Sequence, residues 1–151
     1  DYLLQKATEL GVDIIIPLKT ERTIINISKK EDKKLDRWNR IIKEAVEQSN
    51  RKSIPIMESL IHLKDLIKYT SDIKILCDTK EMSKNIKKVL QDSKKHDTIL
   101  LVVGPEGGFT DNEVEFLNKN GFISTSLGKN ILRAETVPLY VLSVINYEFS
   151  R

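Results

Sequence analysis

Apolar residues recur at helical spacing in several stretches of the chain. The clearest stretch covers residues 31–50, where Leu35, Trp38 and Ile42 fall on one face, and we interpret Trp38 as a core residue on this spacing. The last stretch, residues 136–149, is apolar on nearly every side and shows no wide polar face. On this basis we expect helices at residues 2–10, 31–50, 63–69, 83–91, 110–120 and 136–149.

Short apolar runs lie between these stretches and indicate buried strands. Residues 99–103 give the strongest signal, because five apolar residues in a row end at Gly104 and Pro105. Further strands are predicted at residues 13–18, 54–57, 73–77 and 122–127, and residues 21–27 form a candidate extended piece. Strands that alternate with helices predict an α/β domain with a mostly parallel sheet and helices on both faces.

Glycine is scarce in the chain but concentrated in two loops. Four of the six glycines lie in residues 104–109 (Gly-Pro-Glu-Gly-Gly-Phe) and in residues 127–136 (Leu-Gly-Lys-Asn-Ile-Leu-Arg-Ala-Glu-Thr). Each loop follows a predicted strand, and open α/β sheets bind ligands at the carboxyl ends of their strands. Thr110 and Glu113, directly after the first loop, form a capping box that marks the start of a helix.

Glycine loops of this kind occur in three kinds of nucleotide site. The phosphate-binding pattern Gly-x-x-x-x-Gly-Lys-Ser/Thr and the dinucleotide pattern Gly-x-Gly-x-x-Gly are both absent. A ligand gripped by backbone groups of two neighbouring loops stays open, and so does the interpretation that these glycines merely form turns. Two glycine loops that also contain Arg133 and Glu135 favour the ligand site.

Composition narrows the class of protein. The 151 residues are 40% hydrophobic and 31% charged with a net charge of +3, which is typical of one globular domain and only weakly indicates nucleic acid. Cys77 is the single cysteine, and the two histidines, His62 and His96, have no neighbours at metal-ligand spacing. We therefore expect a reducing compartment, no metal site and no membrane span, with Cys77 buried at a strand end.

The first glycine loop and its surroundings resemble the RsmE family, which methylates N3 of a uridine in small-subunit (16S) ribosomal RNA. The resemblance rests on the run from Val103 to Glu113 and on three other stretches. These are Leu127 to Thr136, residues 6–12 with Thr20-Glu21-Arg22, and Glu44 to Arg51. It is collinear from near residue 3 to residue 149. Val137 departs from the Ala that the family commonly has there.

The resemblance implies the fold, the cofactor and the partners of the chain. It implies a SPOUT-like fold with a C-terminal trefoil knot and a cofactor, S-adenosyl-L-methionine, bound by the knot loops. It further implies an rRNA (uridine-N3-)-methyltransferase that works in the cytoplasm as a homodimer on the small ribosomal subunit. We expect residues 1–151 to be one methyltransferase domain, without the PUA-like RNA-binding domain that precedes it in the family.

Site residues follow from the resemblance together with the chemistry of methyl transfer to N3. Arg133 is the candidate cation that stabilises a uracil anion, and Glu135 or Glu106 is the candidate base. The alternative is a structural Arg133–Glu135 ion pair. The predicted cofactor contacts are Leu76, Cys77, Gly104, Pro105, Glu106, Gly107, Gly108, Leu127, Gly128, Ile131, Leu132, Arg133, Glu135 and Thr136. The predicted RNA contacts are Arg22, Arg37, Arg40, Gln48 and Arg51.

Several alternatives remain at this point. A non-catalytic RNA-binding module and a methyltransferase of the same fold that acts on transfer RNA are the two competing functions. For the apolar last helix, we expect one side to cover the sheet and the other to meet a second copy of the chain. The alternative cover is the helix at residues 2–10 or 31–50 of the same chain.

Overall fold

A computed structural model describes residues 1–23, 31–81, 83–94 and 97–149, with the side chain of Glu31 outside this description. The helices are α1 (Tyr2–Glu9), α2 (Glu31–Gln48), a 3-10 helix (Leu63–Lys68), α3 (Ile86–Gln91), α4 (Asp111–Lys119) and α5 (Thr136–Phe149). The strands are β1 (Ile14–Ile15), β2 (Leu18–Lys19), β3 (Ile56–Met57), β4 (Ile61–His62), β5 (Ile73–Cys77), β6 (Ile99–Val102) and β7 (Ile123–Thr125).

Every strand pair in the described ranges is parallel, which confirms the predicted sheet type. The central strand β5 lies between β6 and β7, so the spatial order is β6-β5-β7. The other pairs are β1 with β3 and β2 with β4. These pairs form two short ladders beside the three-stranded sheet, whereas the sequence indicated longer strands.

Helices cover the three-stranded sheet on both faces, as predicted. Ile75 and Leu76 are successive residues of β5, both fully buried, and they join different core clusters. Leu76 packs with residues of the 3-10 helix and α4, whereas Ile75 packs with α3 and α5. This is the alternation that a strand imposes on its side chains. The C-terminal knot implied by the family resemblance stays a prediction.

Several elements differ from expectation, and a local sequence signal explains one of these differences. α3 begins at Ile86 instead of residue 83, because the side chain of Asn85 accepts a hydrogen bond from the Lys88 N–H and acts as its N-cap. The helix predicted at residues 63–69 is a 3-10 helix, and strand β4 was not predicted at all. Of the extended piece expected at residues 21–27, Glu21 and Arg22 form a turn and residues 24–30 lie outside the described ranges.

Two of the isoleucines predicted to be buried in strands are exposed. Ile14 and Ile56 are register partners in the β1–β3 ladder, and they are 47% and 56% exposed. The apolar run suggested a strand covered on both faces, but this ladder is covered on one face only. There Leu4, Ile42 and Val46 of the first two helices form a third cluster, against which Trp38 packs. Trp38 therefore lies on the core-facing side of α2, as its spacing indicated, but it is only half-buried at the edge of this cluster.

The last helix, α5, is partly covered within its own chain. Val137, Val141 and Ile145 face the core, and the Asn146 side chain donates a hydrogen bond to the Leu10 carbonyl beyond the end of α1 at 2.8 Å. The helix at residues 2–10 thus covers part of the second side of α5. A strip that includes Tyr140, 39% exposed, and Tyr147, 86% exposed, stays open to solvent.

Candidate functional site

The carboxyl ends of the three central strands meet at one edge of the sheet. Cys77 at the end of β5 is in register with Thr125 of β7, and Leu76 is in register with Val102 of β6. The two glycine loops leave from β6 and β7, on either side of β5. The chain therefore brings both loops to the point where the order of a parallel sheet reverses, which is where such sheets form ligand crevices.

The first glycine loop is a tight turn. The Gly108 N–H donates to the Pro105 carbonyl at 2.8 Å, and Gly108 has φ +68°, a conformation that favours glycine. A Cβ at Gly104 would lie 3.1 Å from the ring of Phe109, which is buried in the core. Glycine at position 104 thus lets the loop close over Phe109.

Hydrogen bonds to the Glu113 side chain connect the end of this loop with Glu21, which is distant in sequence. The Glu113 Oε2 accepts from the Thr110 N–H at 2.9 Å, which completes the predicted capping box. Its Oε1 accepts from the Glu21 N–H, also at 2.9 Å, although Glu113 is only 4% exposed. The next residue, Arg22, donates through Nη1 to the Gly107 carbonyl at 2.6 Å.

The second glycine loop is anchored at the same end of the core as the first. Leu127 and Leu132 pack against the cluster formed by α3 and α5, and so do Val103 and Cys77 at the ends of β6 and β5. The Thr136 N–H donates to the Arg133 carbonyl at 2.9 Å, where α5 begins. The end of β5, the start of the first glycine loop and the second glycine loop therefore converge on one apolar cluster.

The predicted catalytic side chains all reach solvent at this edge. Glu106, Arg133 and Glu135 are exposed. No ion pair between residues 1–23, 31–81, 83–94 and 97–149 joins Arg133 to Glu135, so the structural ion pair considered as an alternative is not seen there. The three groups are free to face a bound molecule, and their assignment as cation and base stays a prediction.

The two strand-end residues predicted to contact the cofactor lie in different environments. The Leu76 side chain is fully buried on the α4 face of the sheet, so only its backbone can reach a ligand at the edge. Cys77 is half-buried, and burial raises the pKa of its thiol to about 12. Cys77 therefore behaves as the small apolar residue that the sequence suggested.

The five predicted RNA contacts have different partners. Arg40 and Gln48 are exposed on α2, and Arg37 forms an ion pair with Asp1. Arg22 contacts the first glycine loop. Arg51 departs from expectation, because Nη1 donates to the Thr8 and Val12 carbonyls at 2.8 and 2.7 Å and its side chain is only 14% exposed.

The hydrogen bonds from the Arg51 side chain to two backbone carbonyls indicate a structural role in place of the predicted RNA contact. Arg51 fixes the end of α1 and the segment that enters β1. Because the Arg51 guanidinium donates to two carbonyl groups and its side chain is largely buried, we propose a structural role for Arg51, whereas Arg22 is exposed and stays a proposed RNA contact. The sequence could not separate it from the other arginines, because its partners lie about forty residues earlier in the chain.

Surface grooves occur next to the end of β5, where Asp78 follows Cys77. Two overlapping grooves of about 510 and 400 Å³ run beside α4 and share Asp78, Lys80, Val114 and Asn118 in their walls. The hydrogen bond from Lys80 holds the pKa of Asp111, on the rim, below its ordinary value. Neither groove is lined by the glycine loops, which form an open edge at the surface.

The described ranges contain neither a metal-binding cluster nor a membrane-spanning helix. There, no group of three or more His, Cys, Asp or Glu side chains lies close enough to hold a metal ion. His62 is exposed, and His96 lies outside those ranges. None of the helices described is both long and apolar enough to cross a bilayer.

Comparison with known proteins gives relatives along nearly the whole chain. A protein of Bacillus subtilis, ribosomal RNA small subunit methyltransferase E, is 37% identical over 98% of this chain, and a Synechocystis protein of the same name is 38% identical over 97%. The alignments cover 60% and 48% of those relatives, so the chain spans about half to three fifths of their length.

Solved structures agree with the sequence relatives. A putative methyltransferase of Legionella pneumophila, solved with bound S-adenosylmethionine, superposes with a TM-score of 0.87 at 35% identity, over 96% of this chain and 59% of that one. Ribosomal RNA small subunit methyltransferase E of Neisseria gonorrhoeae, also solved with S-adenosylmethionine, gives 0.83 at 33% identity, over 96% and 60%. The model of the RNA methyltransferase domain family matches residues 1–146. The chain therefore belongs to the RNA methyltransferase domain family.

Proposed function

We propose that this chain is the catalytic domain of an S-adenosylmethionine-dependent enzyme that methylates N3 of a uridine in small-subunit ribosomal RNA. The observation that carries the proposal is the convergence of two glycine loops at the carboxyl edge of β5, β6 and β7. The names and bound cofactor of the relatives support the same reaction class. Such a target also implies a cytoplasmic enzyme.

The residues at this edge fit the chemistry of S-adenosylmethionine. Leu127, Leu132 and the strongly exposed Ile131 supply apolar surface for an adenine ring. The backbone at Gly108 and Gly128 is open to a ligand, because no atom lies within 4 Å of the position that a Cβ would occupy at either residue. When bound there, the cofactor would supply an electrophilic methyl group, while the chain supplies orientation and electrostatics.

Methylation of a uracil N3 requires a proton to leave that nitrogen. Glu135 or Glu106 is the proposed acceptor, since both are exposed carboxylates at the loop edge. Arg133 is the proposed cation that stabilises the negative charge left on the ring. Placement of N3 in line with the methyl carbon, away from water, would be the main contribution of the loops.

The assembly we propose is a homodimer that buries the open strip of α5. Tyr140 and Tyr147 are aromatic residues that the chain itself leaves uncovered, and a two-fold contact would bury the same strip on both copies. The RNA contacts proposed are Arg22, Arg37, Arg40 and Gln48. Arg22 contacts the first glycine loop, whereas Arg37, Arg40 and Gln48 are exposed on α2.

Calorimetric titration of the chain with S-adenosylmethionine tests the cofactor site without requiring activity. Incubation with small ribosomal subunits that lack the modification, followed by mass spectrometry of the nucleosides, then tests the reaction. Arg133→Ala should lower turnover more than cofactor affinity, whereas Lys129→Ala in the same loop should change neither. Methylation of transfer RNA alone would contradict the proposed substrate. Cofactor binding without methylation of small subunits, even with the family's RNA-binding domain joined to the chain, would favour a non-catalytic RNA-binding module.

A further inference from the structure

The first glycine loop is held from outside by a short segment of the N-terminal third of the chain. Arg22 reaches the Gly107 carbonyl at 2.6 Å and the Phe109 carbonyl at 3.5 Å, while the aliphatic part of its side chain lies against Gly107. The Thr20 N–H donates to the Thr23 hydroxyl at 2.9 Å, so residues 20–23 form a closed turn. A turn of this kind presents Arg22 from a fixed position.

Glu113 fixes that turn in relation to the loop. A buried carboxylate must satisfy its oxygens with hydrogen bonds, and here each oxygen takes one backbone N–H. One N–H belongs to Thr110, where the glycine loop ends, and the other belongs to Glu21, the residue before Arg22. Glu113 therefore sets the distance between the loop and the residue that contacts Gly107.

These contacts suggest a role within the proposed function, on which the inference rests. We propose that Arg22 and Glu113 are positioning residues of the cofactor site, in which Glu113 orients Arg22 and Arg22 holds the Gly107 carbonyl. Neither residue needs to touch the cofactor. Gly107 and Gly108 would offer their backbone groups in the binding conformation only while Arg22 restrains the loop.

Removal of a positioning residue should weaken cofactor binding, whereas removal of an ordinary phosphate contact should weaken RNA binding alone. Arg22 is exposed on the surface, so its removal leaves the core intact, whereas the loop loses a charge-assisted hydrogen bond. Such a bond is strong enough that its loss should weaken cofactor binding about tenfold. The temperature of unfolding should move by only about 2 °C, since surface substitutions change stability little.

The test is calorimetry of S-adenosylhomocysteine binding to the full chain, with thermal unfolding measured in parallel. Arg22→Ala should weaken binding about tenfold, and Arg22→Lys should return it to within about threefold of wild type, because a cation again reaches the carbonyl. Glu113→Gln should weaken binding in the same range, because the amide cannot accept two N–H groups with its two ends. Glu115→Gln is the matched control on α4, where Glu115 pairs only with Lys119 at the surface.

The double variant Arg22→Ala, Glu113→Gln provides the sharpest outcome. If Glu113 acts through Arg22, the double variant should bind S-adenosylhomocysteine with the same affinity as Arg22→Ala, within about twofold. Additive losses would overturn the proposed order of action, and an Arg22→Ala affinity within twofold of wild type would overturn the whole inference. If Glu113→Gln does not fold, the two Arg22 variants still decide. A folded wild-type chain that binds no S-adenosylhomocysteine would instead contradict the proposed function itself.

Discussion

Replacing Arg51 with Met separates a structural role from an RNA contact. The substitution keeps an unbranched side chain of comparable length and removes the two hydrogen bonds to the Thr8 and Val12 carbonyls. Thr8 keeps a bond from the Gly11 N–H, so the Val12 carbonyl bears the larger loss. The contact with Asp13 adds little, because it is 3.4 Å long and Asp13 is 86% exposed.

The size of the effect follows from these contacts. A hydrogen bond from a charged donor contributes about 1.5–3 kcal/mol, and one of the two carbonyls is partly compensated, so we expect a loss of about 2–4 kcal/mol. The positive charge of Arg51 lies near the carboxyl end of α1, where it also interacts favourably with the helix dipole. For a chain of this size, such a loss lowers the midpoint of unfolding by about 6–12 °C.

Scanning calorimetry, with urea unfolding as a second measurement, gives the stability of Arg51→Met. The matched control is Arg40→Met on the exposed face of α2, which should stay within about 0.5 kcal/mol of wild type. RNA affinity of both variants is measured under conditions where each is folded. An Arg51→Met protein of unchanged stability but reduced RNA affinity would refute the structural assignment and restore the phosphate contact.

Three further predictions concern other parts of the molecule. Cys77, with its pKa raised to about 12, should react with iodoacetamide at pH 8 about a thousandfold more slowly in the folded chain than in urea; comparable rates would contradict its burial. Gly108→Ala should strain the loop by about 1–2 kcal/mol and weaken cofactor binding, whereas Gly121→Ala, at a similar positive φ after α4, should lower stability alone; equal calorimetric affinities would refute this. The double variant Tyr140→Glu, Tyr147→Glu should have the mass of a monomer in sedimentation equilibrium. A dimer that persists would exclude this strip of α5 as the dimer contact.

Features that depend on neighbouring residues in the sequence were predictable. The bounds of β5 at residues 73–77 and the capping box of Thr110 and Glu113 were anticipated, because apolar runs and caps are encoded within a few positions. The parallel sheet followed from the alternation of elements, and the place of the glycine loops followed from the strands before them.

Features that depend on distant parts of the chain could not be predicted. The second hydrogen bond of Glu113 reaches Glu21, 92 positions away, so no spacing rule reveals it. Arg51 looks like any other arginine of a basic stretch until α1 is placed beside it. The exposure of Ile14 likewise depends on whether another layer covers its ladder, and an apolar run by itself does not specify that.

The order β6-β5-β7 has a consequence for how the chain is completed during synthesis. β5 and β6 are made first and can pair, but the other side of β5 stays unpaired until residues 123–125 leave the ribosome. A nascent or truncated chain that stops before that point therefore leaves one edge of the mostly apolar strand β5 unpaired, and such an edge is a template for aggregation. Loss of the residues from 123 onward should thus produce insoluble protein that depends on chaperones, and not a smaller folded domain.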